Sequence, residues 1–157
     1  MSIEIERKFL VNKQLWDSLE KPEGDYFQQG YLYSDSTKTI RVRATTHTGY
    51  ITIKGASTAD GLSRSEYEYE IPKNEALQLL KEFAPTSLEK TRYRILIDGL
   101  YWEVDVFEGL NSGLLLAELE LTDEHQPYRR PDWILEEVTG DTRYYNSYLA
   151  QHPFSTW

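Results

Sequence analysis

Charged side chains occupy every second position at the start of the chain, within residues 3–11. Glu4, Glu6 and Lys8 are separated there by single residues. Because successive side chains of a β-strand point to opposite faces, these three would share one face. The alternation therefore predicts an opening β-strand with an ionised face.

The same alternation returns in six later segments, so seven segments place ionised groups on one face. Their charged positions are Arg41 and Arg43; Lys54, with Thr52; Arg64, Glu66, Glu68 and Glu70; Lys90, Arg92 and Arg94; Glu103 and Asp105; Glu118 and Glu120. The solvent face of an open sheet would be expected to mix Ser, Thr and Gln with the charges. Here the charge is segregated by sign. The pattern favours a closed barrel whose lumen has an acidic and a basic side, suited to a metal and a polyanion together.

Turn signals and periodicity divide the chain into eight strands and three helical segments. The predicted strands are 3–11, 26–33, 39–46, 49–55, 63–71, 89–98, 100–107 and 114–122. Helices are expected at 13–19, at 75–83 on the outside of the sheet, and within 139–150 over one barrel mouth. The predicted fold is mainly β, of the α+β kind: a single domain over 1–157 with a closed eight-stranded antiparallel barrel and outer or capping helices.

Composition excludes several classes of function. The chain has no cysteine, which rules out thiol catalysis, disulfides and cysteine-based zinc sites. Its net charge of -9 argues against loose binding to nucleic acid or to an anionic membrane. The charged N-terminus leaves no room for an apolar signal core, so a cytoplasmic protein is expected. The partner is expected to be a small polyanion, and the oligomeric state stays open, with a homodimer as the assembly to test.

Six strand cations have the chemistry to cradle a triphosphate, because arginine offers forked donors and lysine a compact charge. They are Lys8, Arg41, Arg43, Lys54, Arg92 and Arg94. The alternative for each is a solvated side chain paired with a glutamate across the sheet.

Several carboxylates on one inner wall would repel one another unless a cation lay between them. Carboxylate-only ligation favours Mg²⁺ or Mn²⁺ over zinc, which usually recruits histidine or cysteine. The three histidines, His47, His125 and His152, fall in predicted loops or near the terminus and are expected to be surface residues. The predicted metal-binding set is Glu4, Glu6, Glu66, Glu68, Glu103, Asp105, Glu118 and Glu120.

Taken in order, these motifs resemble those of the triphosphate tunnel metalloenzymes, also called the CYTH superfamily. The most specific is Glu-x-Glu-x-Lys at the N-terminus. It is followed by Arg-x-Arg at Arg41, Lys54, Glu-x-Glu at Glu66, Lys-x-Arg-x-Arg from Lys90, Glu-x-Asp at Glu103 and Glu-x-Glu at Glu118. The resemblance implies an eight-stranded antiparallel tunnel whose members hydrolyse or cyclise triphosphate-containing substrates with Mg²⁺ or Mn²⁺.

Within that superfamily the chain looks most like the small bacterial inorganic tripolyphosphatases. By this resemblance, Lys90 and Tyr31 orient or activate the attacking water; the alternatives are an ordinary strand cation and an outward-packing aromatic. Arg143 is the candidate cation of the closing helix, since Thr142 stands where family members often carry lysine.

The leading hypothesis is metal-dependent hydrolysis of inorganic tripolyphosphate. One alternative is an adenylate cyclase, which needs an adenine pocket that nothing in the sequence singles out. Others are a thiamine triphosphatase or nucleoside triphosphatase, and a polyphosphate-binding module without catalysis. Such a module would gain little from so many glutamates.

Overall fold

A computed structural model describes residues 2–157 and contains nine β-strands, all paired in antiparallel fashion. The strands are β1 (Ser2–Val11), β2 (Asp25–Ser34), β3 (Lys38–Ala44), β4 (Gly49–Gly55), β5 (Ser63–Ile71), β6 (Thr86–Ile97), β7 (Leu100–Phe107), β8 (Leu115–Leu121) and β9 (Ile134–Glu137). Neighbours follow the order β5-β4-β3-β2-β6-β7-β8-β1, and β1 also pairs with β5. This last pairing closes the first eight strands into a barrel, which confirms the predicted fold.

Strand β1 is the seam of the barrel, because it pairs with three other strands. Its first half, Ser2 to Ile5, pairs with β5, and Ile5 to Leu10 pairs with β8. Where β5 departs, β9 takes over the same edge, with Phe9 opposite Glu137 and Val11 opposite Ile134. The sequence prediction does not include the ninth strand, because its four residues, which follow a proline-containing loop, are too few to show an alternating pattern.

Three α-helices accompany the strands: α1 (Lys13–Ser18), α2 (Lys73–Phe83) and α3 (Asn146–Gln151). Helix α2 packs on the outside of β3, as predicted, with Ala76 and Leu80 against Val42. The C-terminal segment begins with a short 3₁₀ helix, Thr142–Tyr144, before α3. Asp141 caps that 3₁₀ helix by accepting a hydrogen bond from the backbone N–H of Arg143. No helix within residues 2–157 is long and apolar enough to cross a membrane.

The main apolar core lies outside the barrel wall, because the lumen is charged. Its centre is a cluster of aromatic rings in which Trp102 of β7 contacts Phe9 and Trp133 edge to face or tilted. Trp16 of α1 joins the cluster through Trp133, with ring centroids 5.4 Å apart. The hydrophobic effect thus acts on the outer face of the strands, and leaves their inner face free for ionised groups.

The hairpin between β6 and β7 turns at Asp98 and Gly99, as the sequence predicts. Both residues have positive φ, 50° and 80°. A two-residue turn of this kind needs positive φ at both central positions, which explains the Asp-Gly pair. The turn fixes the register that places Asp105 opposite Arg92.

Candidate active site

The barrel encloses a cavity of ≈ 470 Å³ lined almost entirely by polar side chains. Seven of the eight predicted metal ligands line it: Glu4, Glu6, Glu66, Glu68, Glu103, Glu118 and Glu120. Five of the seven predicted phosphate-binding cations line it: Lys8, Arg41, Arg43, Lys54 and Arg92, and both predicted catalytic residues, Lys90 and Tyr31, do as well. The structure thus brings fourteen residues from all eight barrel strands to one space.

Three predicted site residues do not line the cavity. Asp105 is fully buried beneath the ends of Lys90 and Arg92, so it meets the cavity only through them. Arg94 lies beyond the rim with 60% of its side chain exposed and its guanidinium over the Tyr101 ring. Arg143 is likewise exposed and forms an ion pair with Asp141 at 2.7 Å.

The acidic wall contains two glutamates, on neighbouring strands, that form no salt bridge. Glu6 of β1 lies directly opposite Glu120 of β8 in the strand register, and like charges in that arrangement destabilise a sheet. Among residues 2–157, no lysine, arginine or histidine comes within salt-bridge distance of either one. Burial and the neighbouring Glu118 raise the pKa of Glu6, and burial and Glu4 raise the pKa of Glu120.

This donor set fits a hard divalent cation. Carboxylate oxygens are the ligands that Mg²⁺ and Mn²⁺ prefer, and such an ion would offset the repulsion that Glu6 and Glu120 each meet from neighbouring carboxylates. Within residues 2–157, no three acidic or histidine side chains are gathered into a ready-made metal cluster.

The edge of the acidic wall is tied to the basic wall through Lys54. Its ammonium donates to both oxygens of Glu4, at 3.0 and 2.9 Å, and lies 3.4 Å from Glu66. Burial would raise the pKa of Glu4, but Lys54, the hydrogen bond with Glu66 and the charge of Arg64 together outweigh it and lower that pKa to about 2. Burial and the hydrogen bond with Glu4 raise the pKa of Glu66 to about 7. Lys54 thus compensates one carboxylate fully and leaves the second partly uncompensated.

The arginines of the basic wall already contact other side chains of the barrel. Arg43 donates from Nε to the side-chain oxygen of Gln29 at 2.9 Å, and its guanidinium lies over the Phe27 ring. Arg41 donates to the Thr52 hydroxyl at 2.9 Å. Burial, followed by the charges of Arg41 and Arg92, lowers the pKa of Arg43 to about 9. These guanidiniums carry the same charge and lie close together, and their hydrogen bonds to neighbouring side chains hold them in place without a bound anion.

The base of the cavity is a buried triad of Asp105, Arg92 and Lys90. Arg92 grips Asp105 through two parallel bonds, Nε to Oδ1 at 2.7 Å and Nη2 to Oδ2 at 2.9 Å. Lys90, only 1% exposed, donates to the same carboxylate at 2.7 Å. Burial lowers the pKa of Lys90 to about 7 even though Asp105 opposes it. Two cations thus share the buried carboxylate of Asp105 at the cavity floor, and Arg92 also lies 3.4 Å from both Glu103 and Glu118.

The C-terminal segment supplies cavity residues that the sequence prediction did not include. Tyr145, Asn146 and Ser147 line the cavity, and the backbone oxygen of Tyr144 accepts a hydrogen bond from Lys8 at 3.0 Å. Arg64 also lines the cavity, over the Tyr145 ring. Strand alternation places Arg64 on the charged face, so its position in the cavity could have been predicted from the sequence. Asn146 belongs to no alternating pattern, so the sequence does not indicate its position.

Removing one of the two glutamates without a salt bridge tests the metal site. Glu120→Gln is expected to leave the metal-free protein as stable as the wild type or slightly more so, because it removes a charge that neighbouring carboxylates repel. The rise in melting temperature on adding Mn²⁺ or Mg²⁺ should shrink, since a ligand stabilises only the state that binds it. Differential scanning fluorimetry with and without chelator measures both effects. Glu70→Gln, on β5 but outside the cavity lining, is the matched control, and an equal loss of the metal shift there would contradict the assignment.

Comparison with known proteins agrees with this geometry. The CYTH domain model matches residues 2–146, which is most of the chain. The chain belongs to the CYTH family. An inorganic triphosphatase of Acetivibrio thermocellus is 47% identical over 158 residues, covering 100% of this chain and 99% of that protein. One of Nitrosomonas europaea is 38% identical over 155 residues, covering 94% of this chain and 96% of that protein.

A solved structure of the same CYTH fold shows the same architecture. The crystal structure of the inorganic triphosphatase NE1496 is 36% identical, covers 96% of this chain and 95% of that chain, and superposes with a TM-score of 0.64. The family predicted from the motifs is therefore confirmed. The CYTH domain match ends at 146, so all nine strands fall inside it and most of α3 follows it.

Proposed function

We propose that this CYTH protein hydrolyses inorganic tripolyphosphate with the help of Mg²⁺ or Mn²⁺. The observation that carries the proposal is the opposition of two walls in one cavity: a cluster of lysines and arginines lies across from an acidic wall on which Glu6 and Glu120 form no salt bridge. A triphosphate carries closely spaced negative charges that the cations would bind, and a divalent ion would bridge it to the glutamates. The names of the two relatives, both inorganic triphosphatases, support the same function.

In the proposed reaction, water attacks the terminal phosphorus, the bond from that phosphorus to the bridging oxygen breaks, and orthophosphate and pyrophosphate form. Arg41, Arg43 and Arg92 would hold the phosphate oxygens and stabilise the charge of the transition state without reorganising. Lys90 would orient the attacking water from the cavity floor. Glu6 and Glu120 would hold the metal ion, with Glu118 beside them, and the bound ion would neutralise charge on the phosphates.

The aromatic residues of the cavity favour an inorganic substrate over a nucleotide. A purine base needs an open aromatic face or a flat apolar slot. The Phe27 ring lies under the guanidiniums of Arg43 and Arg92, at 4.5 and 5.4 Å from the ring centroid. The Tyr145 ring likewise has Lys8 and Arg64 over it, at 5.4 and 5.7 Å. Cations thus already contact the Phe27 and Tyr145 rings, and a base would have to displace them to stack there.

The deciding experiment measures phosphate release from tripolyphosphate, ATP and thiamine triphosphate in parallel. Each substrate is tested with Mg²⁺, Mn²⁺ or chelator, and cyclic AMP is measured in the ATP reactions. We expect metal-dependent turnover with kcat/KM for tripolyphosphate at least about tenfold above that for ATP, a difference of about 1.4 kcal/mol in the barrier. Cyclic AMP formation would show a cyclase instead. Tight binding of tripolyphosphate without turnover would show a binding module.

A further inference from the structure

Lys90 and Tyr31 are joined through two amide side chains rather than by direct contact. No hydrogen bond connects the two groups within the part of the chain that the structure describes, residues 2–157. Asn146 of α3 accepts from the Lys90 ammonium at 2.7 Å and from the Gln29 amide at 3.2 Å. The same Gln29 amide donates to the Tyr31 hydroxyl at 3.3 Å. A continuous chain of hydrogen bonds therefore runs from one group to the other.

The Lys90 ammonium is held by two acceptors that fix its position. A lysine has a flexible stem and three N–H donors. Two of these are used by Asp105 and Asn146, both at 2.7 Å from Nζ. Because Lys90 lines the cavity, the third donor is available on the cavity side. Asp105 belongs to the barrel wall, so Asn146 is the acceptor that sets the angle from the C-terminal side.

Donor and acceptor chemistry fixes the orientation of both amides. Arginine only donates, so Gln29 must present its oxygen to Arg43, at 2.9 Å, and its NH₂ group points the other way. Lysine also only donates, so Asn146 must present its oxygen to Lys90. The Tyr31 hydroxyl accepts from Gln29 and keeps its own hydrogen for another partner. Gln29 is fully buried, so water does not compete for these bonds.

We propose that Asn146 is a positioning residue, which sets the direction of the free Lys90 donor and, through Gln29, aligns it with the Tyr31 hydroxyl. This inference rests on the proposed hydrolysis of tripolyphosphate. It assigns a role in that site to α3, a six-residue helix that contributes nothing to the barrel wall. Leu149, which is fully buried against Leu88 and Phe107, anchors the helix to the barrel and so holds Asn146 in place.

Two substitutions at this position separate placement from charge. Asn146→Leu has a similar shape but no acceptor, so kcat on tripolyphosphate is expected to fall by about 10²-fold while KM changes less than about threefold. Asn146→Asp keeps both observed acceptor contacts and adds a negative charge in the cavity. It should retain kcat within about tenfold and instead raise KM, because the added charge repels the polyanion. A purely structural role would not produce this opposite split between kcat and KM.

The control is Gln151→Ala, an exposed amide on the same helix that does not line the main cavity; it should keep wild-type kcat and KM. Crystal structures of the wild type and of N146L give a readout that needs no turnover, and Nζ of Lys90 should move by about 1 Å or more. An unmoved Nζ, or an N146L variant with full kcat, would overturn the positioning role. If the wild type itself does not hydrolyse tripolyphosphate, the proposed function fails, and the Nζ displacement alone decides the role of Asn146.

Discussion

Asp105→Ala is expected to lower the free energy of unfolding by about 3–5 kcal/mol, the largest effect on stability that we foresee. The carboxylate of Asp105 is fully buried and accepts two bonds from Arg92 and one from Lys90. Its removal leaves Lys90 with no carboxylate in contact and Arg92 with only Glu103 and Glu118, each 3.4 Å away, and a buried cation that loses its counterion is costly. Chemical denaturation followed by tryptophan fluorescence measures the loss.

The surface pair of Lys13 and Asp17 is a matched control, because its ions are also 2.7 Å apart but their side chains are 62% and 58% exposed. Asp17→Ala should therefore cost no more than about 0.5 kcal/mol. The variant Asp105→Asn addresses the predicted metal ligand directly. If Asp105 bound the metal, this variant would lose the metal-induced rise in melting temperature while keeping most of its stability in chelator. That result would contradict the role as an internal counterion.

Lys90→Met should reduce kcat for tripolyphosphate by about 10³-fold, the largest effect on catalysis that we foresee. The methionine fills a similar volume, and Asp105 keeps its bidentate contact with Arg92, so the fold should survive. What disappears is the ammonium that Asp105 and Asn146 hold at the cavity floor, and that would orient the water in the proposed reaction. Steady-state kinetics, with circular dichroism to confirm folding, measure the change.

A methionine substitution outside the barrel provides the comparison for this variant. Lys81 lies on α2, has an exposed side chain and does not line the cavity, so Lys81→Met should keep the wild-type rate. A Lys90→Met variant that retains more than about a tenth of the wild-type kcat would show that the lysine is a structural cation only. The Tyr31 hydroxyl would then be the next group to test.

Much of the fold and cavity could be predicted because a strand has a strict period of two. The alternation at Glu4, Glu6 and Lys8 fixes which face is ionised, and repetition of that face in later strands closes only around a charged interior. The residues between the charged positions, such as Trp102, then point to the outer face of the strands and form the apolar core there. Period and sign were therefore sufficient to predict both the barrel and most of its lining.

The same alternation does not reveal depth along the barrel axis. Asp105 and Arg94 occupy the predicted face, yet one lies beneath other side chains and the other lies past the rim. Strand tilt and stagger decide this difference, and they depend on pairings with distant residues. Asn146 could not be predicted at all, since its place in the cavity depends on how a short helix docks against the finished barrel.

The multiple pairings of β1 have a consequence for how the chain folds. Lys8 must find Glu118, so β1, which precedes the other seven barrel strands in the chain, completes the barrel only once β8 is present. Contacts between such distant residues require the loop-closure entropy to be overcome before they can stabilise the fold, which makes folding slow. Until that step, the charged side chains of the inner face remain in water. The incomplete barrel therefore does not bury unpaired charges, which would cost desolvation free energy. Closing the barrel and forming the polyanion site are therefore one late event.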